Sequence, residues 1–151
     1  TLVVPESTTG SAFTDLFART ELDATTNSDF LSIVWRKLCI NAAGAINALT
    51  MEPARIANNP HAELVMRKLV LEAVAVGRAE GANLDDSIAD EVVRHYQNVP
   101  GDSVNSLHAD RLAGRPMEID LRNGVIVRLG ERHGISTPFN EMAVALLKSV
   151  S

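Results

Sequence analysis

The sequence predicts an almost wholly α-helical single domain, and three observations carry that expectation. Apolar residues recur at spacings of three and four through most of the 151 positions. Aromatic residues make up only 4% of the chain. Its β-branched residues rarely alternate with polar ones, so strands have little to build from. About seven helices follow, and no internal repeat.

The one strand-like run is Leu2-Val3-Val4, closed by Pro5, and it reads as an edge strand or a leftover of something upstream. A first short helix fits Ser11 to Arg19, capped by Ser11, with Phe13, Leu16 and Phe17 on one face. Thr20 to Ser28 reads as loop. Asn27 or Ser28 then caps a long helix in which Phe30, Ile33, Val34, Leu38 and Asn41 recur at helical spacing to about Leu49. Its second half is built of small residues that let another group approach closely, and Gly44 weakens it enough to predict a bend.

Pro53 ends that segment, and Asn59-Pro60 supplies a cap and a first-turn proline for a helix reaching about Glu80. Leu64, Val65, Leu69, Val70, Ala73, Val74 and Val76 form its expected buried stripe. Glu63 with Arg67, and Lys68 with Glu72, sit at i, i+4 on the solvent side. Asp85 to Gln97 reads as the next helix, with Ile88, Val92, Val93 and Tyr96 inward. Short helices over 105–111 and 118–131 follow, and Thr137-Pro138 opens the last.

Length and composition bound the function. At 46% hydrophobic and 22% charged, the chain can bury roughly 68–70% of its unfolded surface in one core. A net charge of −5 with scattered basic residues leaves no footprint for nucleic acid or an anionic membrane, so neither partner is expected. No apolar run is long enough to span a bilayer. A single cysteine, Cys39, and four dispersed histidines give neither a disulfide nor zinc-ligand spacing, which points to a reducing, cytoplasmic setting and no metal. Thr1 begins no signal peptide, and the chain reads as part of a longer gene product. Nucleotide-cradling motifs of the G-x-G-x-x-G and Walker kinds are absent.

What remains is a polar set on otherwise apolar helices: Lys37, Asn41, Ser106, Asp110 and Glu118. Lys37 and Asn41 are one turn apart and share a helix face. An ammonium there can polarise a carbonyl oxygen and deliver a proton as charge develops on it. Spacing alone favours a solvated lysine. By the same standard Ser106 reads as an N-cap, Glu118 as a first-turn glutamate, and Asn41 as either a ligand contact or a backbone partner. Cys39 is two residues from Lys37 and so off its face, which argues against a catalytic thiol. His61, His95, His108 and His133 read as surface or capping residues.

Three stretches taken together shift these readings. Trp35-Arg-Lys-Leu-Cys-Ile-Asn41, Asn105-Ser-Leu-His-Ala-Asp110, and Gly114-Arg-Pro-Met-Glu-Ile-Asp120 running on through Asn123-Gly124 to Gly134-Ile-Ser-Thr-Pro138 resemble, in order and spacing, the C-terminal domain of the ketopantoate reductases. The resemblance covers nearly the whole chain and implies an all-α domain of the 6-phosphogluconate dehydrogenase C-terminal-like type. It implies residues 1–10 as the end of a linker or last strand of a missing nucleotide-binding domain, and 11–151 as a helical substrate-binding and dimerisation domain. The implied activity is NADPH-dependent reduction of the C2 carbonyl of ketopantoate to pantoate, with NADPH held mainly by the missing Rossmann domain and a homo-oligomer as the working form.

By the same resemblance Lys37 is the general acid, Asn41 and Ser106 hold substrate, and Glu118 sits by substrate and cofactor. Asp110 matches a family position too and reads as a structural cap or bridge. The family's second asparagine falls at Ala45 here, and Asn47 is displaced from it by two residues. Another 2-keto acid is therefore open as substrate. A stand-alone helical interaction module that has lost catalysis is the alternative of a different class. Without its nucleotide domain the chain is expected to be inactive and to self-associate through the apolar wall left uncovered.

Overall fold

A computed structural model describes residues 1–150. Strand β1 (Leu2–Pro5) pairs in parallel with β2 (Ala24–Asn27), Leu2 standing opposite Ala24. The second strand lies where a loop is expected. Its Thr25 and Thr26 are β-branched, but four residues are too short for a period-2 signal, and pairing with β1 decides the conformation. Between them α1 (Thr8–Asp15) starts earlier than Ser11. Ser7 is extended as it leaves the strand, and its Oγ accepts from the Gly10 N–H at 2.9 Å, which makes it the cap. Leu16 falls beyond this helix and is 74% exposed, against its expected burial.

The long helix is α2 (Phe30–Ala43) and α3 (Ala45–Thr50), divided at Gly44 as expected. Asp29 caps it rather than Asn27 or Ser28: its Oδ1 accepts from Ser32 Oγ at 2.6 Å and from the Ser32 N–H at 3.4 Å. At Gly44 a Cβ would stand 2.5 Å from the Tyr96 hydroxyl and 2.9 Å from Asn105 Nδ2. Only glycine leaves room for those two side chains to cross the helix.

After a 3-10 turn over Ala54–Asn58, α4 (Pro60–Ala79) forms the centre of the domain. Asn59 caps it, Pro60 opens it, and Met66, Leu69, Val70, Ala73, Val74 and Val76 are fully buried. Helices α5 (Ile88–Asn98), α6 (Ser106–Leu112), α7 (Asn123–His133) and α8 (Pro138–Ser149) complete the chain, with a 3-10 turn at Ile119–Leu121. The protein is thus an all-α domain carrying one short strand pair. Among the described residues there are eight α-helices, or seven if α2 and α3 are taken as one bent helix. None is long and apolar enough to cross a membrane. Helix α2 packs on α4 where Gly77 faces Trp35: a Cβ there would lie 2.9 Å from the indole ring.

Four local expectations are corrected. Leu64 is 55% exposed, and Met66, two positions on, takes the place in the core. Glu72 does not pair with Lys68 in solvent. Its carboxylate turns inward and accepts from the Phe139 and Asn140 backbone N–H groups, both at 2.9 Å, and from Asn140 Nδ2 at 2.6 Å. The orphan N–H groups that begin α8 are thereby met by α4, and Thr137, though in the cap position, makes no capping bond. The helix expected over 118–131 is split, with Arg122 lying outside helical geometry between the 3-10 turn and α7. Finally, His108 is 2% exposed rather than on the surface. Burial, then the neighbouring Arg111, hold its imidazole below the usual histidine range.

Candidate functional site

The site begins on α2. Lys37 is exposed and Asn41 half-buried on the same face, one turn apart. They line a groove of about 360 Å³ whose opposite wall is Leu121, Val125 and Leu129, from the 3-10 turn and α7. No hydrogen bond or ion pair engages the Lys37 ammonium among the described residues. It stands over an apolar floor that includes Trp35 and Leu38.

Asn41 also lines a second, adjoining cleft of about 210 Å³, shared with Asn47, Tyr96, Asn105, Ser106 and Arg122. Asn105, not Ser106, is the cap of α6: its Oδ1 accepts from the His108 N–H at 3.0 Å. Its Nδ2 donates to the Gly44 carbonyl and to Asn47 Oδ1, each at 3.1 Å. Being freed from capping, the Ser106 hydroxyl accepts from Arg122 Nη2 at 2.6 Å. Tyr96 donates its hydroxyl to the Ile40 carbonyl at 3.1 Å, and burial pushes its pKa up to about 12, so it serves as a neutral donor. Ala45 is fully buried, while the Asn47 amide is spent on Asn105 and, through Nδ2, on the Glu52 carbonyl at 3.0 Å. Asn47 is therefore a wall of the cleft held in place by its neighbours.

The other candidates separate from this pair of cavities. Glu118 is exposed at the start of the 3-10 turn, lines neither cavity, and its carboxylate has no partner among the described residues. Asp110 bridges to Arg115 at 2.8 Å, the structural role the sequence suggests. Cys39 is wholly buried in the core, and burial pushes its thiol up to about 12, which leaves no thiolate for chemistry. Among the described residues no cluster of histidine, cysteine and acidic side chains could hold a metal. A larger groove of about 460 Å³, lined by Arg111, Met117, Asp120 and Lys148, lies away from Lys37 and Asn41. Its Lys148 already pairs with Asp120 at 2.7 Å, so the smaller cleft holds the more telling chemistry.

Sequence reading misses Arg122. It is 8% exposed, and its Nε is buried without a partner. Its only signal is a basic residue between Ile119 and Ile126, two positions that are themselves buried.

A family described as "Ketopantoate reductase PanE/ApbA C terminal" matches residues 29–151. A 2-dehydropantoate 2-reductase of Caulobacter vibrioides is 54% identical over 98% of this chain and 51% of its own length. One from Mycobacterium tuberculosis is 40% identical over 99% of the chain and 51% of its length. Among solved structures, a dimeric ketopantoate reductase from Staphylococcus aureus superposes with a TM-score of 0.92 at 25% identity, covering 98% of this chain and 52% of its own. The chain spans about half the length of the curated relatives it matches.

Proposed function

The chain belongs to the ketopantoate reductase C-terminal family, and from that premise we propose that it is the substrate-side half of an NADPH-dependent 2-dehydropantoate 2-reductase. The full protein reduces ketopantoate to pantoate, on the cytoplasmic route to pantothenate, and works as a homo-oligomer. Residues 1–10 lead in from the nucleotide-binding domain, and β1 and β2 continue that domain's edge.

The observation that carries this reading is Asn41, which lines both the groove holding Lys37 and the cleft holding Ser106. Three residues drawn from two distant motifs, Lys37 and Asn41 from one and Ser106 from the other, converge there on space for one small acid. At about 210 Å³ the cleft falls below the roughly 300–1,000 Å³ of pockets that take drug-sized ligands.

The Lys37 ammonium donates a hydrogen bond to the C2 carbonyl oxygen and gives that oxygen a proton as it gains negative charge. Asn41 orients the same end of the substrate through its amide, and Ser106 holds the acid's polar groups. The dinucleotide, when bound, supplies the hydride. This half offers that group no pyrophosphate cradle. Its one contribution is the unpaired carboxylate of Glu118, an acceptor chemically suited to a ribose hydroxyl or a carboxamide N–H, which stands outside the Lys37 groove and three residues before its wall at Leu121. Docking of the nucleotide domain over this face covers Leu121, which is 70% exposed, and excludes water from the reacting carbonyl.

The test is an assay of the full-length protein with NADPH and ketopantoate. Equimolar NADPH oxidation and pantoate formation is the expected result. No turnover of ketopantoate or any other 2-keto acid would contradict the reading and favour a binding module.

A further inference from the structure

We propose that Arg122, together with Ser106, binds the carboxylate of the 2-keto acid and so sets the preference for an acid over a neutral carbonyl compound. The inference rests on the reductase reading above. Arg122 is more than nine-tenths buried, and among the described residues its single side-chain hydrogen bond is the Nη2 donation to the Ser106 hydroxyl at 2.6 Å. Nε is buried with no acceptor, and no carboxylate pairs with the guanidinium among the described residues.

A buried charge without a counter-ion is costly, and a guanidinium does not escape the cost by losing its proton. The missing partner is therefore an anion supplied from outside. The planar fork fits a carboxylate through two parallel N–H donors. The cleft that Arg122 lines opens beside Asn41, next to the groove of Lys37, so an acid held there presents its C2 carbonyl towards the lysine. Three of the cleft's other polar groups are committed elsewhere, Asn47 and Asn105 to each other and Tyr96 to the Ile40 carbonyl, while Asn41, His95 and Ser103 also line it and Arg122 is its one cation of fixed charge.

The experiment compares the full-length enzyme with its Arg122→Met and Arg122→Lys variants, using ketopantoate and its neutral primary amide as alternative substrates. Arg122→Met is expected to raise KM for the acid about 100-fold, with kcat at saturation within about threefold and KM for NADPH unchanged. Its KM for the amide stays near the wild-type value, so the acid preference collapses, and Arg122→Lys restores part of it. An unchanged KM for the acid, or equal losses on acid and amide, would overturn the proposal. Should Arg122→Met fail to fold, the Nε–H NMR signal of Arg122 in wild-type protein decides: a shift with the acid and none with the amide supports the proposal, and no shift with either refutes it. A wild-type enzyme inert towards every 2-keto acid would instead overturn the reductase reading itself.

Discussion

Arg122 and Asn123 are neighbours in one motif, both buried, and they meet opposite fates. Asn123 Nδ2 donates to the Ala42 carbonyl at 3.2 Å and to Asn140 Oδ1 at 2.9 Å, and only its neutral Oδ1 is left without a partner. Asn140 donates in turn to the Leu69 carbonyl and to Glu72, so this knot ties α2, α4, α7 and α8 through groups the fold supplies. Arg122 has one hydroxyl for a full charge. Polar groups met from within tie the fold together, whereas a buried charge that cannot be shed and has no counter-ion is the place where we propose that a ligand supplies one.

That contrast can be tested from both sides. The largest stability effect belongs to the knot: Asn140→Ala takes the side-chain donor from Glu72 and the Leu69 carbonyl and the acceptor from Asn123, for a loss of about 3 kcal/mol and a drop in Tm of about 6–12 °C. Urea unfolding measures the first and calorimetry the second. A loss under about 1 kcal/mol would mean that water replaces the amide and that the knot is no firmer than the cleft.

Next comes Gly77, which belongs to neither polar region. A methyl there meets the Trp35 ring at 2.9 Å and Leu84 Cδ1 at 2.6 Å, so Gly77→Ala is expected to cost about 1–3 kcal/mol through overpacking. Because Trp35 also floors the Lys37 groove, the same variant is expected to raise KM for the keto acid. A change in stability with none in KM would separate that floor from binding.

The smallest effect concerns His108, whose two ring nitrogens are buried without a hydrogen-bond partner. Unlike arginine, histidine can shed its charge, and burial holds it in the neutral form. Its folded pKa lies below the unfolded value of about 6.5, so its contribution to stability is full above that pH. The contribution falls away as pH drops below it. His108→Leu should flatten that acid-side slope of the stability profile, and an unchanged slope would assign it to other groups.

The α4 boundaries, the Gly44 bend and the inner face of α5 follow from caps, glycine and apolar period, which act locally. Strand β2 and the split at Arg122 do not, because each depends on a partner distant in sequence, whereas the Ser7 cap is a local signal, three residues from Gly10, that competes with Ser11 for the same role. Glu72 illustrates the point: i, i+4 spacing proposes Lys68, but the unmet N–H groups of α8 are the stronger claim on a carboxylate. In the site, Lys37 and Asn41 share a face by spacing alone, and Ser106 joins them only through tertiary packing. Arg122 could not be picked out by residue type, since its meaning lies in the absence of a counter-charge around it.

Lys37, on the function proposed above, delivers the proton to the substrate carbonyl. It is exposed and unpaired, so Lys37→Ala should leave Tm within about 1 °C, as surface changes do. In the full-length enzyme, kcat for ketopantoate reduction by NADPH should fall about 10²–10⁴-fold. A kcat within threefold of wild type would contradict the account.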